Sequence, residues 1–256
     1  MGIPLISVIT VSYNSVDYIE DCIKSVVSQG FDDYEYIVID GKSTDGTPEI
    51  INRYARNLAY WHSRPDRGLS HAFNLGVANS SGKWLLFLNS DDYLAGSSVL
   101  SEMSYYLKNN SDADVVFGKI MFVSMGKNPK IISGPLGRPF SRRKFFFKDT
   151  ILHPAAFTNR KYFKKAGLFN EDFTIAMDYE HYLRGGSSLK VFHAPLVISN
   201  MRMGGISKLK IFTTYSEWRK AHLKNKTASK FIINIVYLSL ISKSIIDKGI
   251  KFIKKL

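Results

Sequence analysis

Three apolar runs, each closed by a polar cluster, constrain what this chain can fold into more than any other feature. Residues 5–11 (L-I-S-V-I-T-V) form a continuous, mostly β-branched run, the pattern of a strand buried on both faces. Residues 36–40 (Y-I-V-I-D) and 84–88 (W-L-L-F-L) repeat it. Between them the period changes. Ile19, Cys22, Ile23, Val26 and Val27 recur at helical spacing and predict an amphipathic helix over 17–29, with Gly30 as its stop. Thr47 and Pro48 read as the N-cap and first residue of a helix running to about Leu58. Residues 69–79 predict a short helix. A helix around 98–108 and a strand near 115–118 continue the alternation. Strand–helix–strand order predicts an α/β fold, a Rossmann-like, mostly parallel sheet with helices on both faces. Ligands of such sheets bind beyond the carboxyl ends of the strands. Residues 12–14, Asp40 and residues 89–92 all follow strands and should therefore converge on one edge.

Past residue 119 the pattern loosens. Glycine and proline are frequent from 126 to 139 and read as loops, and residues 141–148 (S-R-R-K-F-F-F-K) mix basic and aromatic side chains. Residues 161–169 and 178–184 predict short helices.

Charge divides the chain. The net charge is +13, yet residues 208–256 hold twelve Lys and Arg against Glu217 and Asp247. That is +10 for the tail and +3 for residues 1–207. Residues 231–241 are apolar nearly all round. From Ile245 onward, Ile245, Ile246, Ile250, Phe252, Ile253 and Leu256 share one helical arc, opposite Lys248, Lys251, Lys254 and Lys255. A basic amphipathic helix reads as a membrane-surface element. The alternative is a helix packed on the body with its lysines solvated. The near-neutral body carries no nucleic-acid motif, so no nucleic-acid partner is expected. The turn after the first strand, 12–16, lacks the G-x-G-x-x-G of a dinucleotide-dependent oxidoreductase. The single cysteine excludes an intrachain disulfide and an all-cysteine metal cage. No run reaches the ~18 uncharged apolar residues of a membrane span. The N-terminus lacks the pattern of a signal peptide. The expected location is the cytoplasm, peripheral on the inner face of the cell membrane.

The acids at the strand ends admit more than one chemistry. Asp91 and Asp92 close an apolar strand, where two unpartnered carboxylates would be costly. They either hold a hard cation, such as Mg²⁺ with substrate phosphates and water, or form a solvated turn in which one caps the next helix. Asp40 either accepts from a ribose hydroxyl or a base N–H, or begins the turn that follows.

Residues 7–14 (S-V-I-T-V-S-Y-N), 38–47 (V-I-D-G-K-S-T-D-G-T), 65–82 (P-D-R-G-L-S-H-A-F-N-L-G-V-A-N-S-S-G) and 87–92 (F-L-N-S-D-D) occur in that order. Residues 167–184 (G-L-F-N-E-D-F-T-I-A-M-D-Y-E-H-Y-L-R) follow. Together they closely resemble the family 2 glycosyltransferases over about residues 5–207. The resemblance implies the nucleotide-sugar-binding GT-A fold over 1–207, with a donor half (1–118) and an acceptor half (119–207), and a separate basic helical tail over 208–256. It implies inverting transfer of one sugar from a nucleotide diphosphate sugar, expected to be a UDP-sugar, to a glycan or lipid-linked acceptor of surface polysaccharide assembly. It also implies Mg²⁺ or Mn²⁺ as cofactor. By the same resemblance Tyr13 and Asn14 border the base, and Asp40 hydrogen-bonds it. Asp66 and Arg67 lie near the ribose or diphosphate. Asp91 is the main metal ligand with Asp92 beside it, and Asp178 is the general base. Asn89 stands where the family's D-x-D element usually has its first Asp, and can still hydrogen-bond the ribose or sugar. Gly41 and Lys42 depart from the usual D-D-G-S, and Met177 replaces a common Glu. No Q-x-x-R-W element of processive synthases is present, which points to single-sugar transfer. His153 lies where the family often has an acceptor-side His or Gln. His181 is three residues beyond Asp178 on the same predicted helix, and Arg184 is expected to brace that helix. Gly205 and Ser207, in M-G-G-I-S, resemble a loop near the diphosphate.

Overall fold

The computed structural model describes residues 2–126, 128–204 and 210–253, with side chains of the last helix described to 246. Four parallel strands form the first half of a nine-stranded sheet: β1 (Ile6–Ser12), β2 (Tyr34–Asp40), β3 (Tyr60–Ser63) and β4 (Trp84–Asn89), in the order β3-β2-β1-β4. Register delivers the polar clusters to one edge. Ser12 pairs with Asp40 at the last step of β1–β2, and Val11 pairs with Asn89 at the last step of β1–β4. Beyond β4 the sheet is mixed. β8 (Ala156–Asn159) runs antiparallel to both β4 and β6 (Val115–Val123), β9 (Val191–Arg202) is parallel to β6, and the two-residue β5 (Tyr93–Leu94) is antiparallel to β9. One sheet therefore runs through both expected halves, with β6 straddling residue 118.

The helices cover both faces. Alternation along β1 sends Ile6 and Val8 into one core layer and Ile9 and Val11 into the other. The first layer holds α1 (Ile19–Val27), α2 (Thr47–Arg53) and α4 (Val99–Asn109) through Ile23, Val26, Ile51, Leu100 and Met103. The second holds α3 (Leu69–Ala78), α6 (Arg160–Ala166) and α7 (Met177–Leu183) through Phe73, Val77, Phe163 and Tyr179. Cys22 is fully buried under the sheet, beside Thr10 and Tyr36, and burial pushes its thiol up to about 12.

Five strands, β3, β5, β7 (Ile131–Leu136), β8 and β9, lie outside the four expected, and two of them show why. The helix expected through Leu58 stops at Arg53, and a 3-10 turn (Ala55–Asn57) leads into β3. β3 is a half-buried edge strand, so its Y-W-H-S carries no apolar run. β7 lies in the Gly/Pro-rich segment and pairs only with β6, fully exposed along its length. A short α5 (Arg142–Phe147) occupies the basic-aromatic segment.

The basic tail does not stand apart. α8 (Ile211–Lys224) packs on α7 and buries Thr214, Glu217, Ala221 and His222. The last helix, α9 (Lys230–Ile253), packs on α8 through the buried Ile233, and Arg219 Nε donates to Asn234 Oδ1 at 2.8 Å across the pair. Its other face is bare, with Phe231 74 % and Leu238 60 % exposed beside Ile232, Ile235, Ile245 and Ile246. The lysine arc expected from Lys248 to Lys255 lies outside the described side chains. Among the described residues, no helix is long and apolar enough to cross a membrane.

Candidate active site

The loops after β1 and β2 are tied to each other before any ligand arrives. Asn14 holds a left-handed φ of 47°, donates its N–H to Ser43 Oγ (2.8 Å), and accepts from Thr44 N–H on its side-chain oxygen (3.0 Å). Ser15 N–H donates to Thr47 Oγ1 at 2.8 Å, and Val16 N–H to Asp45 Oδ2 at 3.0 Å. Ser15 Oγ also meets Ser90 Oγ at 2.8 Å, which brings in the loop after β4. Asp40 anchors the centre. Its Oδ1 accepts from Ser12 Oγ (2.9 Å) and Ser43 Oγ (2.5 Å), and its Oδ2 from Ser43 N–H (2.9 Å) and Ser63 Oγ (2.6 Å).

That arrangement corrects one expectation. Asp40 has no exposed surface, and four donors occupy its two oxygens, so it holds the loop and leaves no lone pair facing a base. The exposed chemistry lies just outside it. Tyr13 is 68 % exposed. A Cβ built on Gly41 would stand 2.6 Å from Asp66 Oδ2 and 3.4 Å from the Tyr13 ring. Glycine at 41, the departure from the usual second acid, therefore lets the Asp66 carboxylate close over the loop beside Tyr13. Asp66 Oδ1 accepts from Gly68 N–H at 2.7 Å, which fixes its direction. Arg67 forms an exposed two-pronged pair with one Glu171 oxygen (2.8 and 3.0 Å), a weak partner that a diphosphate would compete with.

At the end of β4 the two acids separate in role. Asp92 is 1 % exposed; its Oδ1 accepts from Arg202 N–H (3.1 Å) and its Oδ2 from Asn89 Nδ2 (3.3 Å). Burial and the charge of Asp91 hold its carboxyl well above the usual range. Asn89, expected on the donor, spends its amide on Asp92. Asp91 is largely buried, no hydrogen bond from another residue reaches its carboxylate among the described residues, and burial raises its carboxyl. Of the expected metal pair, Asp92 is committed to the turn and Asp91 is the oxygen donor left over. One carboxylate completed by substrate phosphates and water fits Mg²⁺ or Mn²⁺ chemistry. No group of three or more acidic, His or Cys residues that could hold a metal occurs among the described residues. Arg202 sustains this turn, and charge patterning gave no sign of it. Its guanidinium lies between the Tyr18 and Tyr93 rings, 5.0 Å from each centroid. It donates to the Asp91 carbonyl (2.7 Å) and to Asp21 Oδ2 (2.6 Å).

The side expected to take the acceptor is built on α7. Asp178 is its second residue and lies 3.6 Å from His153 Nδ1 through Oδ2. His153 stacks on Phe87 of β4 at 5.3 Å and 18°, with Phe73 and Phe169 on its edges. It is buried, and burial lowers its pKa against the opposing charge of Asp178, so the ring is neutral at pH 7. Among the described residues neither ring nitrogen has a hydrogen-bond partner. A buried neutral imidazole with both nitrogens unpaired, beside a carboxylate, is a vacant hydrogen-bonding position for a ligand hydroxyl. Asp149 is the third member, unsuspected from sequence. It accepts from Ile151 N–H at 3.0 Å, and burial and the charge of Asp178 raise its carboxyl well above the usual range. Residues 169–173 join this wall to the donor loops, through Ser70 Oγ to the Phe173 carbonyl (2.6 Å) and Asn74 to Phe169 (2.9 Å).

His181 does not face the site. α7 is buried almost all round, and the ring lies among Tyr162, Phe163 and Phe169 with Nε2 2.8 Å from the Gly167 carbonyl. Burial lowers its pKa to about 3, so it is a neutral core residue. Arg184 braces the helix as expected, gripping Glu180 and donating to the Ala166 and Leu168 carbonyls. Gly205 and Ser207 lie outside the described residues.

The glycosyl transferase family 2 model matches residues 7–167. An uncharacterized glycosyltransferase of Mycobacterium tuberculosis is 36 % identical over 183 residues, 71 % of this chain and 68 % of that protein. The crystal structure of Staphylococcus aureus TarS 1–349 in complex with UDP aligns with a TM-score of 0.67 at 18 % identity, over 92 % of this chain and 70 % of that one. The mannosyltransferase PcManGT of Pyrobaculum calidifontis, in complex with GDP-Man and Mn²⁺, aligns with a TM-score of 0.67 at 17 % identity, over 95 % and 76 %. At those identities the two structures speak for the fold.

Proposed function

The chain belongs to glycosyl transferase family 2 and has a nucleotide-sugar-binding fold; from that premise we propose that it transfers one sugar, with inversion, from a UDP-sugar to an acceptor hydroxyl of a membrane-borne glycan. The observation that carries the reading is the Asp178–His153 pair, a carboxylate and an unpartnered neutral imidazole 3.6 Å apart beside the donor strands. Asp178 takes the acceptor proton as the oxygen attacks the anomeric carbon. His153 orients that hydroxyl, and the two together hold it in line. Tyr13 and Asp66 flank base and ribose. Asp91 would hold Mg²⁺ or Mn²⁺, which when bound neutralises charge on the departing diphosphate.

The exposed face of α9 is what supports a membrane-borne acceptor. Its exposed apolar stripe at Phe231, Ile235, Leu238 and Ile245 follows the i, i+4, i+7 rule of one helical face, within a tail of net +10. An apolar face on a tail of strongly positive net charge suits an anionic bilayer surface, and the enzyme would work there on the cytoplasmic side. Substituting serine for Phe231, Ile235 and Leu238 together leaves the buried Ile233 contact intact. That variant is expected to stop sedimenting with anionic vesicles; undiminished sedimentation would remove the membrane from the reading.

The test of the activity is a panel of UDP-, GDP- and dTDP-sugars assayed for binding and turnover with Mg²⁺, with Mn²⁺ and in EDTA. Turnover of a UDP-sugar that collapses in EDTA is expected. Turnover confined to another base would overturn the UDP assignment, and full activity in EDTA would take the metal from Asp91.

A further inference from the structure

The helix carrying Asp178 has no cap of its own. The residue before α7, Ala176, offers no side-chain acceptor, so the amides leading into the helix need partners from elsewhere. They find them on α8. Glu217 Oε1 accepts from Thr174 N–H (2.9 Å) and Thr174 Oγ1 (2.7 Å), and its Oε2 accepts from Ile175 N–H (2.9 Å) and Ala176 N–H (2.8 Å). Four donors on one 8 %-exposed carboxylate fix three consecutive residues, ending two before Asp178. Burial alone would raise the Glu217 carboxyl, yet the hydrogen bonds from Ala176, Thr174 and Ile175 outweigh it and the net shift is downward, so the group is an anion facing a helix start. The backing is rigid. Tyr179, next to Asp178, donates to the Phe145 carbonyl (2.7 Å), meets His222 Nε2 of α8 at 2.9 Å, and packs on Trp218 at 5.3 Å.

We propose that Glu217 is a positioning residue for the transfer reaction: it holds the 174–176 segment so that the Asp178 carboxylate stays aimed at the acceptor hydroxyl, which makes α8 part of the catalytic apparatus. The inference rests on Asp178 being the base. Glu217 itself touches neither substrate, and its segment contacts the acceptor side, so its loss acts on the chemical step and leaves donor binding alone. Because α9 packs on α8, whatever seats α9 also seats this clamp.

The experiment compares wild type, Glu217→Gln and Glu217→Ala with a donor that the wild type turns over. The amide keeps one acceptor oxygen and turns an N–H₂ toward amide donors, so two of the four bonds are lost with shape retained. The expected result for Glu217→Gln is a kcat lower by about tenfold to a hundredfold, since displacements of ~1 Å cost that much. Donor KM and calorimetric UDP affinity stay within about twofold, on the same positioning argument. The pH–rate profile should lose its acidic limb's wild-type position, because the base's surroundings change. A lowered melting temperature with unchanged kcat would overturn the proposal and leave Glu217 a fold-stabilising residue. Parallel loss of donor affinity would overturn it too. If Glu217→Ala does not fold, Glu217→Gln with a native circular-dichroism spectrum decides. Retained transfer by Asp178→Asn sinks the base assignment; lost transfer by Asp178→Asn with a fully active Glu217→Gln sinks only the clamp.

Discussion

Replacing Asp178 with asparagine is expected to lower sugar transfer by about 10²- to 10⁴-fold, the range for removal of a general base, while UDP-sugar affinity stays at its wild-type value. The side chain keeps its size, and the bond from Tyr179 N–H to Asp178 Oδ1 (2.8 Å) can persist on the amide oxygen, so the turn into α7 survives. What disappears is a group able to take the acceptor proton. His153 is a weak substitute, because burial lowers its pKa and so disfavours the imidazolium that taking the proton would form. Asp149 is no ready replacement either, since burial and the neighbouring charge of Asp178 raise its carboxyl well above the usual range. Single-turnover kinetics with titration calorimetry of donor binding separates the two quantities. Transfer within threefold of wild type would mean that another base operates.

Arg202→Met should produce the largest loss of stability of any single substitution considered. The guanidinium is 1 % exposed and joins Asp21, the Asp91 carbonyl and two tyrosine rings. Methionine fills much of the volume but strands the turn carbonyl and takes from Asp91 and the buried Asp92 the cation whose charge favours their ionised forms. Removing one partner of a buried charge pair costs about 3–5 kcal/mol. The Asp21 carboxylate is 43 % exposed and recovers some hydration, which favours the lower end, about 3 kcal/mol. At ~2–4 °C per kcal/mol for a chain of this size, the melting temperature should fall by about 10 °C. Calorimetry checks the fall. A loss under about 2 °C would show that the turn is held by β9 pairing alone.

The parallel half of the fold was legible because its strands are buried on both faces and announce themselves as unbroken apolar runs. β1, β2 and β4 lie where those runs are. β3 and β7 were not legible, since an edge strand needs only one partner, and β3 is half-buried while β7 is exposed at every position. The same division holds at the site. Asp178 and His153, 25 positions apart in the chain, come within 3.6 Å of each other, which spacing alone could not show. Asp40 has the right position but the wrong exposure, because three hydroxyls and an amide on neighbouring loops saturate it, and saturation is a property of packing. His181 illustrates the limit of spacing arguments: three residues along a helix places it near Asp178 only if that face is open, and α7 has no open face there. Glu217 did leave a trace, as one of two acids among twelve bases, but its partners lie about 40 residues upstream.

The bonds linking residues 13–16 to 43–47 and to Ser90 bear on how a donor would be recognised. Loops that are loose in the free enzyme must be ordered by the ligand, and that ordering subtracts from affinity. Here the seams between three strand ends are closed during folding. If the donor enters beside Tyr13 and Asp66, as proposed, it would meet a wall tied together in advance, and its affinity would not be reduced by the entropy of arranging that wall. A stiff wall also cannot reshape itself around a poorly fitting base. Selectivity for the donor is in this sense a mechanical property of the scaffold, set by how little these loops yield.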